Sequence, residues 1–171
     1  MKSALVLFSV LSFFQMQSTF AQQASCLEDN GKPVSATNTE VLNWLHSTSG
    51  RFTARAYVQG TVVKRYPDQT NHAHFAIDLN GDGAGDLEVI YQYDAGQIPS
   101  ITPGMKVSTC GDYITAKNSP NGAIIHWVHC NSRGGSHPDG FLSIDGKVYG
   151  FSPIASSGEQ CLRPAPTSSL F

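Results

Sequence analysis

Ile101-Thr102-Pro103-Gly104-Met105-Lys106-Val107 is the stretch on which the fold turns. Pro103 and Gly104 interrupt the chain, and from Lys106 the residues alternate as a strand does, so a bend delivers the backbone into a new strand. Toward the N-terminus, Ala56, Val58, Gly60 and Val62 alternate with Tyr57, Gln59, Thr61 and Val63. Phe75, Ile77 and Leu79 then alternate with His74, Ala76 and Asp78, and Leu87, Val89 and Tyr91 keep the period of two. Toward the C-terminus, Lys106–Lys117 and Ala123–Cys130 read as strands joined by the turn Asn118-Ser119-Pro120-Asn121-Gly122. Three meandering strands, an irregular connector and two more strands are the order of a small OB-like closed barrel, with a flattened β-sandwich as competitor.

The expected fold class is therefore all-β: an OB-like barrel of about five strands, a C-terminal hairpin and one short N-terminal helix. The hairpin is Phe141–Gly150, turning on Asp145-Gly146 as a type I′ turn. The helix begins at the capping box Thr37-Asn38-Thr39-Glu40, puts Val41, Leu42 and Leu45 on one face, and ends before Gly50. Four segments follow: a signal peptide (1–21), a lead-in with the helix (22–50), the β domain (51–151) and a tail rich in Ser, Pro and Ala (152–171).

Lys2, the apolar stretch Ala4–Phe14 and the small-residue boundary at Thr19-Phe20-Ala21 have the layout of a secretory leader cleaved near Ala21. The expected location is periplasmic or secreted. Ala24-Ser25-Cys26 resembles the end of a lipobox, but Gln23 stands where Leu belongs. No other segment is long and apolar enough to span a bilayer. The whole chain carries a formal charge of −2, and loss of Lys2 makes the mature protein one unit more negative. It has no basic run, which argues against nucleic acid as a partner, since counterion displacement needs clustered Lys and Arg. The expected partner is instead an unknown ligand or an envelope or extracellular protein, and the expected state is a monomer.

The four cysteines, in an oxidising compartment, read as two disulfides. Pairing Lys117 with Ala123 sets Cys110 opposite Cys130 and Tyr113 opposite Trp127, so the expected bridges are Cys110 to Cys130 and Cys26 to Cys161.

Asp78-Leu79-Asn80-Gly81-Asp82-Gly83-Ala84-Gly85-Asp86 places oxygen-bearing side chains at positions one, three, five and nine of a glycine-rich bend. A hard cation gathers six to eight oxygens, so this spacing suits calcium, with Asp78, Asn80, Asp82 and Asp86 as side-chain ligands and Ala84 offering its carbonyl. The loop departs from the EF-hand, which needs a Glu where Val89 stands, and more closely resembles the D-x-N-G-D-G-x-x-D loops of integrin-type β-propeller repeats. An ordinary polar turn is the alternative.

Three of the six histidines, His126, His129 and His137, fall close together late in the chain. Imidazoles bind zinc or move protons near neutral pH, so these three, helped by Asp139 or His72, are the candidate catalytic or zinc-binding residues. Residues three apart on a strand point to opposite faces, so His126 and His129 can share a site only if the strand ends or bulges between them. His129 can meet His137 across the intervening loop. A structural role, with the imidazoles hydrogen-bonded to neighbours, competes with these readings. Asp68, Asp94 and Asp112 are further possible partners of a histidine. Trp127, Tyr113 and Phe141 read as packing residues, with a shallow aromatic groove as the functional alternative.

Gly60-Thr61-Val62-Val63, Tyr66-Pro67-Asp68, His72-Ala73-His74-Phe75, Gly111-Asp112-Tyr113, His126-Trp127-Val128-His129 and His137-Pro138-Asp139-Gly140 together resemble a family of small exported bacterial proteins, domain of unknown function number 3465. The resemblance covers roughly 56–150 and implies a compact exported β domain without supplying an activity. The family's His-Trp-Thr-His has Val128 in place of Thr, and its His-Gln-Arg-Phe stands here as His72-Ala73-His74-Phe75. The resulting expectation is a calcium-stabilised, OB-like binding module that is not an enzyme. The alternative is a metal-dependent hydrolase using His126, His129 and His137.

Overall fold

The computed structural model describes residues 25–48, 50–131 and 137–150. The leader, Cys161 and the 152–171 tail lie outside the described residues. The elements in chain order are α1 (Asn38–Ser47), β1 (Thr53–Gln69), β2 (His72–Asp78), β3 (Leu87–Gln92), a 3-10 turn (Tyr93–Ala95), β4 (Lys106–Thr115), β5 (Ala123–His126), β6 (Phe141–Ile144) and β7 (Lys147–Tyr149).

β1 is long enough to serve two neighbours. Its first half, Thr53 to Thr61, runs antiparallel to β4, and its second half, from Thr61, runs antiparallel to β2. The handover falls beside Gly60, where an added Cβ would overlap the carbonyl oxygen of Asp78. β2 continues to β3, β3 pairs in parallel with β5 through Glu88↔Ile124 and Val89↔Ile125, and β5 returns antiparallel to β4. With β4 on β1, the ring β1-β2-β3-β5-β4 closes, which is the order expected of an OB-type barrel and leaves its five strands no free edge. β6 and β7 extend the sheet from β4 as the C-terminal hairpin. Asp145 and Gly146 both have positive φ, 47° and 83°, as a type I′ turn requires.

Period-two alternation decides what fills the barrel. Ala56, Val58, Val62, Phe75, Ile77, Leu87, Val89, Tyr91, Tyr113 and Ile125 are buried in one core. α1 lies over it through fully buried Val41, and Trp44 packs against Tyr113 with ring centroids 5.3 Å apart. The Glu40 carboxylate accepts hydrogen bonds from the Thr37 backbone N–H (2.9 Å) and hydroxyl (2.8 Å), the start signal read in the sequence.

Two expectations are corrected. β5 stops at His126, and its register on β4 is Thr115↔Ala123, so Tyr113 faces Ile125 and not Trp127. The cause is the connection between the strands: Ala116 N donates to Gly122 O, so the turn begins two residues earlier than the Asn-Ser-Pro-Asn-Gly reading placed it. Cys110, now beyond the reach of β5, pairs with Tyr57 on β1 and Phe141 on β6. The lead-in crosses this face, and the bridge is Cys26–Cys110, which overturns both expected pairings, Cys110 to Cys130 and Cys26 to Cys161. Cys130 is also disulfide-bonded. Among the described residues no helix is long and apolar enough to cross a membrane.

Candidate functional site

β2 and β5 alternate inward apolar residues with outward histidines. Ala73, Phe75 and Ile125 enter the core, so His72, His74 and His126 stand on the outer face. β3 lies between these two strands and pairs with both, and across it the His72 and His126 rings come within 5.7 Å. At Trp127 the strand ends and the backbone turns to φ 56°, a left-handed conformation uncommon for a bulky residue and tolerated where surrounding contacts impose it. That is the interruption His126 and His129 need in order to share a face.

The surroundings that impose it are three glycines. An added Cβ on Gly111 would overlap the His126 carbonyl oxygen, and one on Gly140 would overlap the Trp127 carbonyl oxygen. On Gly150, whose φ is +95°, it would come within 3.0 Å of His129 Cα. Backbone bonds hold the same segment from both sides: Gly140 N to His129 O at 2.8 Å, and Cys130 N to Gly150 O at 2.8 Å. Arg55 adds a buried brace. Its guanidinium pairs with Asp112 at 2.9 Å and donates to the carbonyl of Asp139. The Asp139 carboxylate accepts from Asn131 N at 2.7 Å, and Asn131 Nδ2 donates to His137 O at 2.6 Å.

Trp127 is the hub of the resulting surface. His126 lies 4.4 Å from it, His129 6.0 Å, and His137 is stacked on it at 4.5 Å with planes 15° apart. His129 and His137 are 5.6 Å apart, and His72 and His74 6.4 Å. His72, His129 and His137 point Nδ1 at the carbonyls of Thr70, Cys130 and Pro138, at 2.6, 2.8 and 2.9 Å. His74 Nδ1 meets Glu88 Oε1 at 2.7 Å. Carbonyls only accept, so Nδ1 carries the proton in those three rings. Burial, reinforced by the neighbouring His72, His129, His137 and His74, pushes His126 down to about 4. Burial lowers His129 as well, against the opposing pull of its Cys130 carbonyl bond. Near neutral pH His126 and His129 are therefore uncharged.

His72, His126, His129 and His137, all singled out in the sequence, thus reach one surface, while Asp139 turns its carboxylate to Asn131. The three late histidines do not converge on a point. His126 and His129 flank Trp127, and among the described residues no three His, Cys, Asp or Glu side chains form a ready metal-holding group. The other carboxylates considered are engaged elsewhere: Asp112 with Arg55, Asp68 with Arg65 and Tyr93, Asp94 with Asn71 and Gln92. Tyr113 and Phe141 are buried packing residues, but Trp127 is half-buried among imidazoles. Arg55 and the His74–Glu88 pair were missed. The signal for Arg55 was a charge beside the Ala54 and Ala56 alternation, and for Glu88 an acid on an otherwise apolar strand.

The 78–86 loop joins β2 to β3 as expected. Asp78 accepts from the amides of Gly81 (2.6 Å), Gly83 (2.8 Å) and Asn80 (3.1 Å), Asp82 from that of Ala84 (2.7 Å), and Asp86 from that of Leu79 (2.8 Å). Amide bonds from Gly83 and Gly81 hold Asp78 below the usual carboxylate range. Burial raises Asp86, and the charges of Asp82 and Asp78 raise it further. The donor set is all oxygen and its carboxylates repel one another, which fits a hard cation, while their present partners are the loop's own amides.

No curated protein and no solved structure matches this chain. A family model does, over residues 23–150, which takes in the barrel, the hairpin and every histidine of the surface. The chain belongs to the family described as protein of unknown function, DUF3465.

Proposed function

We propose that this protein is an exported OB-type binding module whose ligand docks on the imidazole and indole surface built around Trp127, without turnover. One observation carries the reading: five of the six histidines gather on one surface around a half-buried tryptophan, and the segment that bears Trp127 is clamped by Gly111, Gly140 and Gly150. A surface this constrained is pre-organised, which lowers the entropy lost on binding. The disulfide suits an oxidising compartment. Calcium, held by Asp78, Asn80, Asp82, Asp86 and the Ala84 carbonyl, serves as a stabiliser of the β2–β3 turn in this reading.

Binding is favoured over hydrolysis because no described hydroxyl is hydrogen-bonded to an imidazole base. The Ser119 hydroxyl donates to one oxygen of Glu88 (2.5 Å) and His74 to the other, so the carboxylate separates them. All described cysteines are in disulfides. Trp44 and Trp127 are the two tryptophans, so Trp44→Phe leaves an indole that reports on this surface alone. Titrating that variant with divalent cations and oligosaccharides should give a saturable fluorescence change, with no turnover of phosphodiester or cell-wall substrates. Turnover that disappears in His129→Ala would replace this reading with the hydrolase.

A further inference from the structure

Resting on the binding reading above, we propose that the ligand of this surface is a borderline divalent transition-metal ion of the Cu²⁺, Ni²⁺ and Zn²⁺ class, gripped by Nε2 of His129 and Nε2 of His137 and otherwise open to water or a further ligand. The two rings already have the fixed tautomer that metal-binding imidazoles require. Each donates Nδ1–H to a backbone carbonyl, His129 to Cys130 and His137 to Pro138, which leaves Nε2 as a bare lone pair. His129 Nε2 is buried and finds no hydrogen-bond partner among the described residues. A buried nitrogen lone pair is normally matched by a donor or a cation, and the described residues supply this atom with neither.

The spacing agrees. A metal about 2.0–2.1 Å from each nitrogen lies about 3.2 Å from each ring centroid, so two imidazoles on one ion have centroids roughly 4.5–6.4 Å apart. His129 and His137 stand at 5.6 Å, with planes 85° apart. Stacking on Trp127 fixes the His137 plane, and the Asp139 charge beside His129 favours a cation. Imidazole nitrogens select borderline ions over Ca²⁺ or Mg²⁺, and copper(II) heads the affinity order. Among the described residues no third ligand converges, so the site differs from a closed structural zinc centre and leaves coordination positions free.

The mature protein, stripped with chelator and carrying Trp44→Phe, is titrated calorimetrically with Cu²⁺, Ni²⁺, Zn²⁺ and Ca²⁺ while Trp127 fluorescence is followed. The expected result is one Cu²⁺ per chain, Trp127 quenching, nitrogen hyperfine structure in the electron paramagnetic resonance spectrum, and at least tenfold weaker binding in His129→Ala and in His137→Gln. His46→Ala, on the remote helix, should bind as the parent does. His137→Gln keeps the test decisive if His129→Ala does not fold. Copper binding unchanged in His137→Gln, or no copper binding at all, overturns the proposal. In either case a saturable Trp127 response to an oligosaccharide preserves the binding-module reading, and its absence removes both.

Discussion

Arg55 and Asp112 face each other across the β1–β4 pairing, Nη1 to Oδ1 at 2.9 Å, and the same guanidinium reaches the Asp139 carbonyl and approaches Cys110 Sγ at 3.3 Å. One buried cation thus ties together the barrel, the disulfide and the segment that leads out of His137.

Removing that cation leaves Asp112 without its partner. Losing one member of a buried pair costs about 3–5 kcal/mol, and the partial exposure of Asp112 lowers the expectation for Arg55→Met to about 2–4 kcal/mol. Urea unfolding of Arg55→Met and of Arg55→Met with Asp112→Leu tests this. The double variant should recover part of the loss, and equal midpoints for the single variant and the parent would show that the brace contributes nothing.

The Cys26–Cys110 bridge spans 84 residues of sequence. Chain-entropy scaling for a loop of that size gives about 4–5 kcal/mol, so Cys26→Ser with Cys110→Ser should sharply lower the unfolding midpoint. Non-reducing peptide mapping should recover Cys26 joined to Cys110. A fragment joining Cys110 to Cys130 would contradict the structure.

Calcium binding by the folded state alone would raise the thermal midpoint. At a free concentration one hundred times the dissociation constant the gain is about 2.7 kcal/mol, and it should vanish in Asp78→Asn. A midpoint that does not move between EDTA and millimolar calcium would remove calcium from the proposed function.

His126 ties stability to pH. Its folded value is depressed to about 4 from the ordinary 6.5, so between these values the unfolded chain binds the proton more readily than the folded one. Stability from this residue is complete above pH 6.5, falls as pH drops through that window, and is gone below pH 4. Solvent screening of a partly exposed ring reduces the drop to about 1–2 kcal/mol. Metal-free protein in EDTA, unfolded at pH 7 and pH 4.5, should show a loss that His126→Gln makes smaller. An identical pH dependence in the variant would assign the loss to other groups.

Gly140→Ala forces a methyl against the Trp127 carbonyl oxygen, with Cys110 O and His129 N also close. Since these are backbone atoms, the segment must shift, and a loss of about 1–3 kcal/mol is expected. Copper affinity should fall with it. Parent-like stability together with parent-like affinity would show that the clamp is slack.

The barrel order was legible because alternation is local: a strand buried on one face needs an apolar residue at every second position, and turn residues punctuate the runs. The hairpin turn at Asp145-Gly146 and the Thr37–Glu40 capping box were legible for the same reason, each being a contact among near neighbours. The disulfide pairing was not. Its prediction hung on a register two residues away from the true one, and a two-residue slip keeps every side chain on its proper face, so the hydrophobic pattern carries no warning. The end of β5 was equally hidden, because Trp127 and Val128 have strong strand propensity and only contacts with Gly111, Gly140 and Gly150 turn the backbone there.

What the sequence determined by itself is the set of elements, their approximate limits and the presence of an unusual store of imidazoles, since these follow from composition and short-range periodicity. Tertiary structure alone decided which imidazoles meet, that Trp127 stands among them instead of in the core, and that Arg55 braces them. Those outcomes depend on where β2, β5 and the hairpin lie relative to one another. That placement is set by closing the ring through the β1–β4 and β3–β5 pairings, contacts between residues far apart in the chain.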